Sequence, residues 1–128
     1  MRLLLDTHAF LWWVADDPRL SDRARSLIAD GSNEVFFSAA SAWEIVVKAA
    51  LGRLRIDGEV KVFIDRQLEA NAFEVLPIHL RHALAIAALP DLHRDPFDRM
   101  LVAQASTEGL AILTGDQQVA AYPVEAVW

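Results

Sequence analysis

The sequence predicts an α/β fold: a three-layer α/β/α arrangement around a central parallel sheet. Three observations carry that prediction. Arg2–Leu5 (RLLL) sets three leucines in a row with no polar alternation, the pattern of a strand buried on both faces. A second unbroken apolar run, Leu110–Leu113 (LAIL), repeats it near the other end. Between such runs lie helix-length segments with recognisable caps and stops. Strands and helices therefore follow the order β-α-α-β-α-α-β-α-α-β-(α)-β, which winds a parallel sheet.

Taken in order, the first strand stops on Asp6 and Thr7–Ala15 suits a first helix, apolar nearly all round. Adjacent residues on a helix point roughly 100° apart, so Trp12 and Trp13 face different surroundings, either two parts of a core or a core and a partner. Pro18 breaks the chain. Ser21 caps a second helix that runs to about Asp30 and stops at Gly31. Glu34–Ser38 (EVFFS) reads as the second strand. Ala39–Leu51 forms a third helix ending at Gly52. Its only charges are Glu44 and Lys48, and with Trp43, Ile45, Val46 and Val47 around Glu44, much of it is expected to be covered. Arg53–Ile56 connects to an Asp57-Gly58 turn. Val60–Asn71 has Val60, Phe63, Ile64 and Leu68 at helical spacing, an amphipathic fourth helix.

Phe73–Ile78 is a short strand with Pro77 at its end, where the missing N–H matters least. His79–Leu89 is a fifth, alanine-rich helix; His79 and His82 lie one turn apart without a third nitrogen nearby, so both read as surface or core residues. In Leu92–Ala105, Asp95-Pro96 sets an N-cap before a proline at N1, with Asp98 at N3. Met100, Leu101, Gln104 and Ala105 continue that helix against the sheet. Leu110–Leu113 follows as the fourth strand, and Val124–Val127 as a last, edge strand.

The 128 residues fit one domain spanning 1–128, and at 54% hydrophobic they bury a sizeable core. No Pro/Gly/Ser-rich linker, internal repeat or low-complexity tract interrupts the chain. No apolar run reaches the roughly 18 residues of a membrane span, and no leader pattern marks secretion, so a soluble cytoplasmic domain is expected. With zero cysteines, disulfides, thiol catalysis and thiolate metal sites are excluded. A net charge of −6 argues against a nucleic-acid partner only superficially, because ions held by carboxylates invert the local sign.

Four acids share one structural situation. Asp6 and Asp116 follow buried strands, the latter in Thr114-Gly115-Asp116, while Glu44 and Asp98 fall near helix starts. Ligands of open α/β sheets bind at that carboxyl edge. Each has a plainer reading: Asp6 as a helix cap, Glu44 as an exposed i,i+4 partner of Lys48, Asp98 as a residue favoured by the helix dipole beside the structural cap Asp95, and Asp116 as part of a Gly-Asp turn. Four oxygen ligands without Cys or clustered His suit Mg²⁺ or Mn²⁺, ions that activate water and neutralise an in-line phosphoryl transition state. Carboxylates this close resist joint ionisation, so at least one raised pKa is expected.

LLLDTHAFLW, the SAWEI helix, DPFDRMLVAQA and ILTGD, in this order and spacing, resemble the PIN-domain ribonucleases, and among them the VapC toxins of bacterial type II toxin–antitoxin pairs. The resemblance spans nearly the whole chain. It implies a parallel sheet in order 3-2-1-4-5, with Asp6, Glu44, Asp98 and Asp116 as catalytic and metal-binding residues and Mg²⁺- or Mn²⁺-dependent cleavage of structured RNA, commonly tRNA or ribosomal RNA. Thr7 and Thr114 match positions that help orient the acids. A small VapB-like antitoxin and a homodimer are implied as partners. Trp12-Trp13 and the apolar first helix place the antitoxin segment in a groove beside helices one, two and four. A non-catalytic RNA- or protein-binding domain of the same fold is the alternative. A phosphotransferase of the haloacid-dehalogenase type is disfavoured, since His8 stands where that family needs a second Asp.

Overall fold

A computed structural model describes Met1–Trp128. The leucine run forms β1 (Arg2–Leu5), which leads through Asp6 into α1 (Thr7–Val14) and α2 (Asp22–Ala29). Ser21 caps α2 through a bond from Ala24 N–H. β2 (Glu34–Ser38) passes directly into α3 (Ala39–Ala50), with the Ser38 hydroxyl accepting from Ala40 N–H. Gly52 follows at φ 71°, the left-handed stop that glycine adopts without strain. α4 (Val60–Asn71) precedes β3 (Glu74–Leu76), and α5 (Leu80–Ala85) continues into a single 3₁₀ turn at Ile86–Ala88. α6 (Pro96–Glu108), β4 (Ala111–Leu113), α7 (Gln117–Ala120) and β5 (Ala126–Val127) complete the chain.

The five strands are all parallel, in order β3-β2-β1-β4-β5, which is the expected arrangement. β1 is central: Leu3 pairs with Val35 on one side and Ala111 on the other. Strand side chains alternate between faces, so the leucine run serves two cores. Leu3 and Leu5 pack with Phe10, Ile28, Phe37 and Ile45 under α1, α2, α3 and α4. Leu4 packs oppositely with Phe36, Met100, Leu101 and Ile112 under α6. Each fully buried leucine contributes about 1.5–3 kcal/mol.

Three expectations need correction. The segment predicted as one helix over His79–Leu89 is shorter and breaks to 3₁₀ geometry, with His79 as N-cap. β3 and β5 are shorter than Phe73–Ile78 and Val124–Val127. The third helix is less covered than its composition implied: Trp43 is 54% and Val46 51% exposed, while Glu44 between them is 2% exposed. Helical geometry separates neighbours by direction, so a helix apolar on every side can still bury only one. The two tryptophans do face different surroundings: Trp13 is half-buried, its indole N–H donating to Asn71 Oδ1 at 2.9 Å, so it ties α1 to α4. Trp12 packs instead against Trp128 and beneath the Arg19 guanidinium. No helix is long and apolar enough to cross a membrane.

Candidate functional site

The carboxyl ends of β1, β2 and β4 define one edge of the sheet, and each delivers an acid there. Asp6 follows β1 directly; its backbone N–H still donates to Leu113 O at 3.1 Å, joining the ends of β1 and β4. Its Oδ1 accepts from Ala9 N–H at 2.7 Å and so caps α1. The capping role is therefore real, and it engages one oxygen. Asp6 is only 5% exposed. Burial drives its pKa above the ordinary carboxylate range; the Thr114 hydroxyl, Ala9 N–H and His8 offset this, and the negative charge of Asp116 adds to it.

Asp116 follows β4 by way of Thr114 and Gly115. Its N–H donates to Thr114 Oγ1 at 3.1 Å and its Oδ1 accepts from Gln118 N–H at 2.8 Å, capping α7. Gly115 is required by close approach: a Cβ there would stand 2.6 Å from the Trp128 ring.

Glu44 lies in the second turn of α3. Thr7 Oγ1 is 2.7 Å from its Oε1, and Lys48 pairs with its Oε2. The i,i+4 pair read from sequence exists, but around a buried carboxylate rather than an exposed one.

Asp95 caps α6 by accepting from Phe97 N–H at 2.8 Å and Asp98 N–H at 3.1 Å, as expected. Asp98 is thereby free of capping duty and its side chain remains 20% exposed at the site. Its pKa is pushed up to about 6, first by burial, then by the charge of Asp95 and, more weakly, of Glu44, with His93 pulling the other way. The expectation of a raised carboxyl is met, though burial outweighs like-charge repulsion as its cause.

A histidine that the sequence reading did not single out joins this group. His93 Nε2 lies 2.9 Å from Asp98 Oδ2. One ligand atom from each of His93, Asp98 and Asp116 falls within 4.8 Å of the others. Asp6 and Glu44 flank this tighter trio, coupled electrostatically to Asp116 and Asp98 respectively. The only sequence signal for His93 was its place two residues before the N-cap in HRDPFD. Its reach depends on a distant tie: the His93 carbonyl accepts from Tyr122 Oη at 3.3 Å, and Arg99 Nη1 contacts Pro90 O at 3.0 Å and Tyr122 Oη at 3.1 Å.

Beside Glu44 opens a groove of about 630 Å³. α1 lines it with Thr7, Leu11 and Trp12, and α3 with Glu44 and Lys48; Arg53–Asp57 and Phe63 of α4 close it. α2 contributes no wall, contrary to the expectation of a groove beside helices one, two and four: α2 packs its buried face, Ala24 and Ile28, into the core. On the other flank Trp43 stacks edge-on against Phe97, centroids 4.8 Å apart.

The donor chemistry fits a hard divalent cation. Carboxylates dominate, thiols are absent, and burial, with a smaller contribution from neighbouring acids, holds the Asp6 and Asp98 carboxyls above their ordinary range.

Comparison with known proteins follows the same lines. A family model of the PIN domain matches residues 3–125. Ribonuclease VapC22 of Mycobacterium tuberculosis is 29% identical over 117 residues, covering 91% of this chain and 88% of that protein. A chain of VapBC2 from Rickettsia felis, crystallised bound to a promoter DNA fragment, superposes with a TM-score of 0.73 at 13% identity, over 99% of this chain and 98% of the other. A chain of DNA-bound VapBC from Salmonella typhimurium gives 0.72 at 18% identity, over 99% and 97%.

Proposed function

The chain belongs to the PIN-domain family, and from that premise we propose that it is the toxin of a VapBC-type pair, a single PIN domain over residues 1–128 acting as a metal-dependent endoribonuclease. The observation that carries this reading is the convergence of Asp6, Glu44, Asp98 and Asp116 on one edge of the sheet, two of them with carboxyl pKa values raised. The 29% identity to Ribonuclease VapC22 supports the same activity.

Asp6, Asp98 and Asp116 would hold Mg²⁺ or Mn²⁺, with Glu44 as the fourth carboxylate beside them. Such an ion supplies Lewis acidity toward a phosphoryl oxygen and water and neutralises charge in an in-line displacement. The protein's contribution is preorganisation. Asp6 and Asp116 are each fixed by the helix they cap, Glu44 by Thr7 and Lys48. Both Glu44 oxygens are engaged, so this residue orients and attracts rather than accepting a proton. Asp6 and Glu44 are buried and poorly hydrated, which strengthens their pull on a cation.

The substrate is structured RNA, with tRNA or ribosomal RNA as the class to test, and the setting is the cytoplasm, where that RNA resides. A VapB-like antitoxin segment occupies the groove over Leu11, Trp12 and Phe63, bringing a basic side chain toward the acids. A second copy of the chain covers the apolar edge formed by Val75, Ile78, Leu80 and Leu84, of which Leu80 is 74% exposed. The deciding experiment incubates purified protein with tRNA and ribosomal RNA in Mg²⁺, Mn²⁺ or EDTA. Discrete fragments that disappear in EDTA support the reading; intact RNA under every condition removes it.

A further inference from the structure

Resting on the metal-centre reading above, we propose that His93 is a nitrogen ligand of the divalent ion, completing a His93–Asp98–Asp116 ligand set and favouring Mn²⁺ over Mg²⁺. Three observations lead there.

The first is spacing. Two neighbouring ligands of an octahedral ion, with bonds of about 2.1 Å, stand about 3.0 Å apart. His93 Nε2 and Asp98 Oδ2 are 2.9 Å apart. The trio lies within 4.8 Å, and ligands on opposite sides of such an ion stand about 4.2 Å apart, so closing the set needs a shift of well under an ångström.

The second is how the imidazole is held. The chain reverses at the Asp95 cap, and Arg99, one residue past Asp98, reaches back to Pro90 O while Tyr122 Oη engages His93 O. The hydroxyl and the guanidinium also contact each other at 3.1 Å. The loop is tied from two elements, α6 and the segment after α7, and both ties set His93 against Asp98. A surface histidine capping nothing requires no such clamp.

The third is donor chemistry. Without the ion, Nε2 and Asp98 share a proton in a hydrogen bond. To ligate, Nε2 would present its lone pair with the single ring hydrogen of the neutral imidazole placed on Nδ1, the tautomer reached by exchange of that proton with solvent, while Asp98 would face the ion as a carboxylate. Mg²⁺ prefers oxygen and keeps its waters, whereas first-row transition ions gain more from imidazole nitrogen. His93 therefore raises affinity for Mn²⁺ while changing Mg²⁺ little.

Mn²⁺ itself is the probe, because pulsed electron paramagnetic resonance detects ¹⁴N directly coordinated to it. With full-length protein loaded with one equivalent of Mn²⁺, we expect imidazole ¹⁴N modulation that persists in His8→Asn and vanishes in His93→Asn. Titration calorimetry of His93→Asn should show Mn²⁺ affinity lowered about 10- to 100-fold, with Mg²⁺ affinity within about threefold. Since the wild-type spectrum needs no variant, poor folding of His93→Asn does not leave the question open. Bound Mn²⁺ lacking nitrogen modulation, or modulation surviving in His93→Asn, overturns the role of His93 while leaving the carboxylate centre standing. If Mn²⁺ does not bind, or binds equally well in Asp98→Asn, the metal-centre reading itself falls and takes this inference with it.

Discussion

Thr7 and Glu44 are joined across the sheet edge: Thr7 Oγ1 lies 2.7 Å from Glu44 Oε1 and 2.9 Å from Ser41 Oγ. A carboxylate only accepts, so the threonine proton goes to Glu44. The first residue of α1 thus fixes a buried charge on α3. Thr7→Val keeps the shape and removes the donor, leaving Glu44 with Lys48 alone. Loss of a buried charged hydrogen bond costs about 1–3 kcal/mol, a fall in melting temperature of several degrees. A thermal transition matching wild type refutes the coupling.

Asp6→Asn keeps size and the cap to Ala9 while removing charge. RNA cleavage should fall at least about a hundredfold, since several kcal/mol of transition-state stabilisation depend on the ion. Fragments formed by the wild type should carry a 5′-phosphate and a 3′-hydroxyl. Time courses with end-labelled RNA check both points; full activity of Asp6→Asn sinks the assignment.

Asp98 makes a signed prediction about pH in the metal-free protein. Its folded pKa, about 6, lies above the ordinary value of 3.8 that it has in the unfolded chain. The folded state therefore holds the proton more tightly, so this group's stabilisation is complete below about pH 4 and is lost as pH rises through about 6. At neutral pH the ionised group costs up to roughly 3 kcal/mol relative to a neutral one. Asp98→Asn should flatten the pH 4–7 stability profile, raise the metal-free melting temperature at pH 7 by several degrees, and shrink the increase caused by Mg²⁺. Calorimetry with EDTA and with Mg²⁺ checks this. A lower melting temperature with an undiminished Mg²⁺ response returns Asp98 to a helix-dipole role.

The two neighbouring tryptophans should part company. Trp13 bonds Asn71 and lies outside the groove, so Trp13→Ala should cost about 2 kcal/mol or more in the free protein. Trp12 lines the groove, so Trp12→Ala should leave folding nearly intact and weaken antitoxin binding by tenfold or more, as an aromatic anchor does. Chemical denaturation and a peptide titration, run on both variants, separate them; equal effects of the two on either measurement contradict the division.

The apolar edge at β3 and α5 predicts a dimer. Leu84, 65% exposed, becomes a charge in Leu84→Glu, and sedimentation should then show monomer with an unchanged circular dichroism spectrum. A persistent dimer places the interface elsewhere.

Much of this architecture was readable because its determinants are local. Asp95-Pro96 announces a helix start by capping geometry alone, and Leu3-Leu4-Leu5 announces two-sided burial. Ser21, Gly52 and the carboxyl-edge acids follow the same rule. What escaped depends on which distant surfaces meet. The loop that carries His93 to Asp98 is tied by Tyr122, far along the chain, and by Arg99, both of which contact the His93 carbonyl. α2 leaves the groove because Arg53–Asp57 fills that wall instead. Trp43 and Val46 face outward because the buried direction of α3 is chosen by Thr7 and the core, and composition alone does not specify a direction.

The pairing of β1 also has a kinetic side. Leu3 aligns with Ala111, more than a hundred residues further along, so the central strand gains its second neighbour only when β4 emerges from the ribosome. Closing so long a loop is entropically expensive and makes folding slow. Asp6 is made first and Asp116 nearly last. During synthesis the nascent chain carries Asp6 and Glu44 before Asp98 and Asp116 exist, so the acidic edge is complete only once β4 has paired with β1.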